Sequence, residues 1–123
     1  MPKPSSTALD LAHRCVQYAQ DKKALDPIIL DLRKISSITD YLVICSAQSE
    51  PQLKAIANSV EKSLKDDTGR YPLAVDGFPT SQWIVIDYGE VMFHIFHEQK
   101  RPLYALEDLW SDAPQVPIKF PSS

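Results

Sequence analysis

The stretch from Gln82 to Glu98 limits what this chain can fold into more than any other, because it reads as a β-hairpin with a definite register. Gln82 to Tyr88 and Val91 to His97 are rich in β-branched and aromatic residues, and Gly89-Glu90 between them fits a two-residue turn with glycine first. That turn sets Tyr88 opposite Val91, Ile86 opposite Phe93 and Ile84 opposite Ile95. Side chains alternate between faces along a strand. One face is then Ile84, Ile86, Tyr88, Val91, Phe93 and Ile95, almost wholly apolar, and it must meet a core. The other carries Trp83, Val85, Asp87, Met92, His94 and Phe96. A buried face rarely keeps a carboxylate without a partner, and an exposed one rarely keeps Trp, Met and Phe unless something docks there. Aromatic anchors with a Met and a few charges suit a protein interface. The competing reading is that the first or last helix covers this face.

The rest of the chain supplies layers for such a hairpin. Thr7 to about Lys23 predicts a helix, with Ala8, Leu11, Ala12, Cys15 and Ala19 on one face, Ser6 or Thr7 as cap and Asp26-Pro27 as its end. Pro27 to Leu32 and Tyr41 to Cys45 predict two antiparallel strands, the second apolar enough for a central strand covered on both faces. Ser49 and Gln52 have capping-box spacing with Pro51 in the first turn, and Leu53, Ile56, Ala57, Val60 and Leu64 form the apolar face of a helix ending near Gly69. Leu73 to Asp76 predicts a short strand, Gly77 to Thr80 a loop, and Pro102 to about Trp110 a last helix. The order predicts an α/β fold: a mixed β-sheet of about five strands with flanking helices, and a parallel pair formed across the Ser49 helix. Residues 1–110 are expected to form a single domain and the Pro-rich residues 111–123 a mobile tail.

Charge and chemistry narrow the function. A formal net charge of -3 without a basic stripe disfavours direct nucleic-acid binding and favours a basic protein partner; Lys22-Lys23 and Lys100-Arg101 are short and ordinary. No apolar run approaches membrane-spanning length, and the first residues lack the apolar stretch of a signal peptide, which predicts a cytoplasmic protein. Cys15 and Cys45 have no metal-ligand spacing and read as buried small hydrophobes. His94 and His97 on one strand point to opposite faces and cannot chelate together. There is no Asp-x-Asp pair, no phosphate-cradling loop among three glycines and no nucleophile motif. An enzyme reading, a divergent metal-dependent nucleotidyltransferase, needs Asp31, Asp40 and Asp87 brought together from different strands.

Lys34-Ile35-Ser36-Ser37-Ile38-Thr39-Asp40-Tyr41, then Trp83-Ile84-Val85-Ile86-Asp87-Tyr88-Gly89-Glu90-Val91, then His94-Ile95-Phe96 with Tyr104-x-Leu106-Glu107-x-Leu109-Trp110, occur in one order. Together, from about Thr7 to Trp110, they resemble the ribosomal silencing factor family (RsfS, Iojap-like). The resemblance implies a nucleotidyltransferase-like fold without the transferase's catalytic acids and with no cofactor. It implies binding to the large ribosomal subunit through ribosomal protein fourteen of that subunit, a block on subunit joining, and lowered translation; some relatives are linked to ribosome assembly. It points to Trp83, Asp87, Tyr88 and their neighbours as contacts. The expected partner-binding set is Trp83, Val85, Asp87, Tyr88, Glu90, Met92, His94 and Phe96, with Asp40 and Asp76 as further carboxylates for Lys or Arg on the partner. A third reading has the Trp83 face pair two free copies in a homodimer that gives way on ribosome binding. Glu90 stands where relatives often have Asp, and the tail after Trp110 matches nothing in the family pattern.

Overall fold

The computed structural model describes residues 7–78 and 82–118. Helix α1 (Ala8–Gln20) starts at Thr7, whose hydroxyl accepts from the Asp10 N–H at 3.0 Å. It stops earlier than the proline signal predicts. Lys23 takes a positive φ of 62° and the Ala24 N–H returns to the Ala19 carbonyl, so strand β1 (Leu25–Asp31) begins before Pro27. Pro27 falls where the register shifts between Leu25 and Ile28, a bulge that needs no donor from it.

Strand β2 (Tyr41–Ala47) pairs antiparallel with β1 and is buried along its whole length, as a central strand between two covered faces must be. Helix α2 (Glu50–Thr68) follows. Ser49 Oγ accepts from the Gln52 N–H, and Gly69 closes the helix at φ 72°. The Gln52 side chain reaches past the box. Its Oε1 accepts from the Gln48 N–H, and its Nε2 donates to the carbonyls of Lys22 and Lys23, tying α2 to the turn after α1.

Strand β3 (Ala74–Phe78) takes in Gly77 and Phe78, which the sequence placed in a loop; Pro79 and Thr80 lie outside the described residues. Strands β4 (Trp83–Asp87) and β5 (Val91–His97) form the hairpin, pairing Ile86 with Phe93 and Ile84 with Ile95. The register is therefore the expected one. Gly89 adopts φ 90°, and the Tyr88 N–H donates to the Val91 carbonyl at 2.9 Å. β2 and β5 are parallel.

The last helix is broken. Arg101–Tyr104 (α3) and Leu106–Leu109 (α4) are separate turns, because Ala105 between them sits at φ 47°. The tail expectation is corrected for residues 111–118. Gln115–Val116 form strand β6 on the free side of β1, so the mixed sheet has six strands in the order β3-β4-β5-β2-β1-β6. Val116 and Ile118 pack on the main core, an apolar reward for a segment its prolines alone would leave irregular. α1 and α2 cover one sheet face with Leu11, Cys15, Val60 and Leu64 against Ile86, Tyr88, Phe93 and Ile95. Leu106, Trp110 and Ala113 cover part of the other, over Leu30, Leu42, Ile44 and Phe96.

Candidate functional site

The hairpin register carries across four strands. Opposite α1 and α2, one cross-strand row is Asp76, Val85, His94 and Ile44; the next is Ala74, Asp87, Met92 and Leu42; Trp83, Phe96 and Ser46 make a third. The face holding Trp83, Val85, Asp87, Met92, His94 and Phe96 is thus one surface, as the alternation requires.

Its interior is aromatic. The Trp83 ring stacks on Phe96 with centroids 4.9 Å apart and meets Tyr104 at 4.8 Å. Trp83 Nε1–H donates to His94 Nδ1 at 3.0 Å. The neutral imidazole accepts this bond, so its proton resides on Nε2. Burial pushes the His94 pKa down from 6.5 to about 4, and protonating Nδ1 would set two donors against each other. Because the folded value lies below the unfolded one, the unfolded chain binds the extra proton in between. His94 should cost no stability above about pH 6.5, and up to about 3 kcal/mol should be lost as pH falls from there towards pH 4. Urea titrations across that window should show the decline, and His94→Gln should flatten it.

Burial divides the expected contact set. Phe96 is 0% exposed, Tyr88 2%, Val85 8% and His94 8%. These four cannot offer side chains to a partner, and the picture of a wholly exposed hairpin face is corrected. Tyr88 sits in the main core. Phe96 lies beneath the α3–α4 segment, the covering that the competing reading foresaw. Trp83, Asp87 and Met92 remain half-exposed, and Ala74 and Asp76 are exposed, which places the accessible part of the face over β3, β4 and the near end of β5. Asp87 Oδ1 accepts from the Gly89 N–H at 2.8 Å, bracing the hairpin turn. Glu90 is not waiting for a partner cation. Arg70 donates to both its carboxylate oxygens, at 2.8 and 3.3 Å, and this holds its carboxyl below the usual range. Asp40 is exposed beside it, where its backbone N–H donates to the Glu90 carbonyl.

Arg101, read from the sequence as an ordinary surface cation, is buried and holds the cover in place. Its Nε donates to Glu107 at 2.9 Å, and its Nη1 to the Asp26 carbonyl at 2.7 Å and to Ser46 Oγ at 3.0 Å. The one sequence signal was its place before Pro102 with Glu107 six residues on. Around it opens a cleft of about 480 Å³ rimmed by Asp26, Glu98, Glu107 and Asp108, a second acidic margin. Leu103 and Leu109, on the same segment, are exposed.

Among the described residues no three His, Cys, Asp or Glu side chains come together as metal ligands. Asp31 is taken up by Arg33, at 2.7 and 2.9 Å. Cys15 and Cys45 are buried and unbridged, and burial pushes the Cys15 thiol up to about 12, which makes it inert at neutral pH. No helix among the described residues is long and apolar enough to cross a membrane.

The chain as a whole is similar to known proteins. The family model described as "Ribosomal silencing factor during starvation" matches residues 5–123. A Bacillus subtilis protein named ribosomal silencing factor RsfS is 39% identical over 100 residues, covering 81% of this chain and 84% of that protein. Mouse "Mitochondrial assembly of ribosomal large subunit protein 1" is 27% identical over 99 residues, 78% of this chain and 43% of that one. A crystal structure of a Chromobacterium violaceum protein superposes with a TM-score of 0.81 at 27% identity, covering 95% of this chain and 92% of the other.

Proposed function

This chain belongs to the ribosomal silencing factor family, and from that premise we propose that it docks on the large ribosomal subunit and sterically blocks the small subunit, repressing translation. The partner in this reading is a basic ribosomal protein, ribosomal protein fourteen of the large subunit. One observation carries it: Trp83 and Met92 lie half-exposed beside the carboxylates of Asp76 and Asp87, on a domain of net charge -3. An aromatic anchor rimmed by acid suits a basic protein surface better than RNA phosphates. The carboxylates speed encounter and set register more than they add affinity. Asp40 extends the acidic rim, whereas Glu90 acts by holding Arg70 and the turn. No catalytic step or cofactor belongs to this reading, and the protein works in the cytoplasm.

Sucrose-gradient sedimentation of purified subunits tests it. At magnesium levels that permit joining, added protein should co-sediment with large subunits and deplete joined ribosomes. Joining that proceeds unchanged at saturating protein would sink the proposal. A role in large-subunit assembly is the second reading, suggested by the name of the mouse relative; it expects immature large subunits to accumulate in cells lacking the protein. Sedimentation of the isolated protein reads whether the free form is a homodimer.

A further inference from the structure

The sheet has two edges, and among the described residues only one is protected. β6 closes the first with two residues between Pro114 and Pro117, which leaves little backbone for another strand to pair with. The second is β3, exposed from Ala74 to Gly77. The ladder tells which of its backbone groups are free. The Tyr88 N–H donates to Val91, and the His97 N–H to the Gln82 carbonyl, so even-numbered residues of β4 spend their backbone groups on β5. The odd-numbered ones face β3, as the bond from the Leu73 N–H to the Asp87 carbonyl at 2.7 Å confirms. Ala74, Asp76 and Phe78 lie opposite Asp87, Val85 and Trp83, so their backbone groups point inward. Val75 and Gly77 present theirs to the outside.

Apart from the charge of Asp76, the edge lacks the usual deterrents. Its register against β4 runs without a shift from Ala74 to Phe78, and it carries no Lys and no internal Pro, the devices that keep edges from pairing. Val75, paired with Ile86, is 43% exposed on the helix side of the sheet, and Leu73, just before the strand, is 74% exposed. Asp76 lies on the other side, in the same surface as Asp87, Trp83 and Met92.

We infer that β3 takes up an extended strand of the partner protein, one alternating basic residues on the Asp76 side with apolar residues on the Val75 side. The inference rests on the docking proposed above and specifies its mode: strand addition continuous with the Trp83 corner. A second copy of this chain fits less well. The antiparallel register pairing Val75 with Gly77 of a second copy sets two Asp76 carboxylates opposite each other, which destabilises a pair.

Val75→Pro removes an outward N–H and leaves the β3–β4 ladder intact, a position an edge strand tolerates. Binding to purified large subunits should weaken about tenfold or more, the loss of a main-chain bond and its register. Val75→Thr, which keeps the N–H, should stay within about twofold. Val75→Lys covers the case in which the proline variant unfolds: a cation set among the apolar residues that the strand presents on the Val75 side should weaken binding similarly. If Val75→Pro, or Val75→Lys in its place, binds like the parent, strand addition is overturned and the docking reading survives. If the parent itself does not bind, both fall. If the variant loses only self-association, the edge serves a second copy and the inference is overturned.

Discussion

Phe96→Ala is expected to remove about 4 kcal/mol of folding stability. The ring is fully buried. It stacks on Trp83 at 4.9 Å and on Tyr104 at 5.6 Å and packs in the cluster of Leu30, Leu32, Leu42 and Ile44. Truncation leaves a cavity that the rigid central strands cannot close, and only the short α3–α4 cover can settle into it. Against a typical total of about 5–15 kcal/mol for a domain this size, such a loss leaves a marginal protein. A lowered urea midpoint with unchanged slope is the expected signature. A change below about 1 kcal/mol would mean that the cover is loosely seated and contributes little.

The same ring marks how far the sequence could be read. Period-2 alternation and the Gly89-Glu90 turn were sufficient to set the hairpin register, since both are local. Ser49, Gln52 and Gly69 marked α2 for the same reason. Three features escaped because they depend on distant partners. Ala105 breaks the last helix at a positive φ, an unfavourable choice for a residue with a Cβ, in a segment anchored through Arg101 to Asp26 and Ser46. β6 is two residues between prolines and exists only because β1 offers it a free edge. The burial of Phe96 follows from the third layer of the sheet sandwich, which no property of the hairpin reveals. The candidate site was thus legible as a face. Which part of that face stays open was not, and Glu90 passed for a free carboxylate because Arg70, twenty residues away, leaves no local trace.

Trp83→Ala should weaken association with the large subunit about a hundredfold, the loss of a central aromatic anchor. The indole is the group that joins the two roles of the face. It supports Phe96 and its Nε1–H holds His94 Nδ1, while the residue stays half-exposed on the face that also carries Asp76, Asp87 and Met92. Some stability must therefore go with it, roughly 2 kcal/mol, below the cost of removing the fully buried Phe96. Alanine is more telling than glutamate here, because an added carboxylate would be drawn to a basic partner and offset part of the loss. Phe96→Ala is the control, measured where both variants are folded. It damages the fold more and the open surface less, so its affinity should stay within about fivefold of the parent. Asp76→Lys, exposed and without an ion pair among the described residues, should leave stability unchanged and slow association mainly at low salt. Stability and affinity thus rank the two aromatic variants in opposite orders if the Trp83 corner is the interface. If affinity instead tracks stability across the set, the corner is only a packed edge of the core, and docking must be sought at the acidic cleft around Arg101.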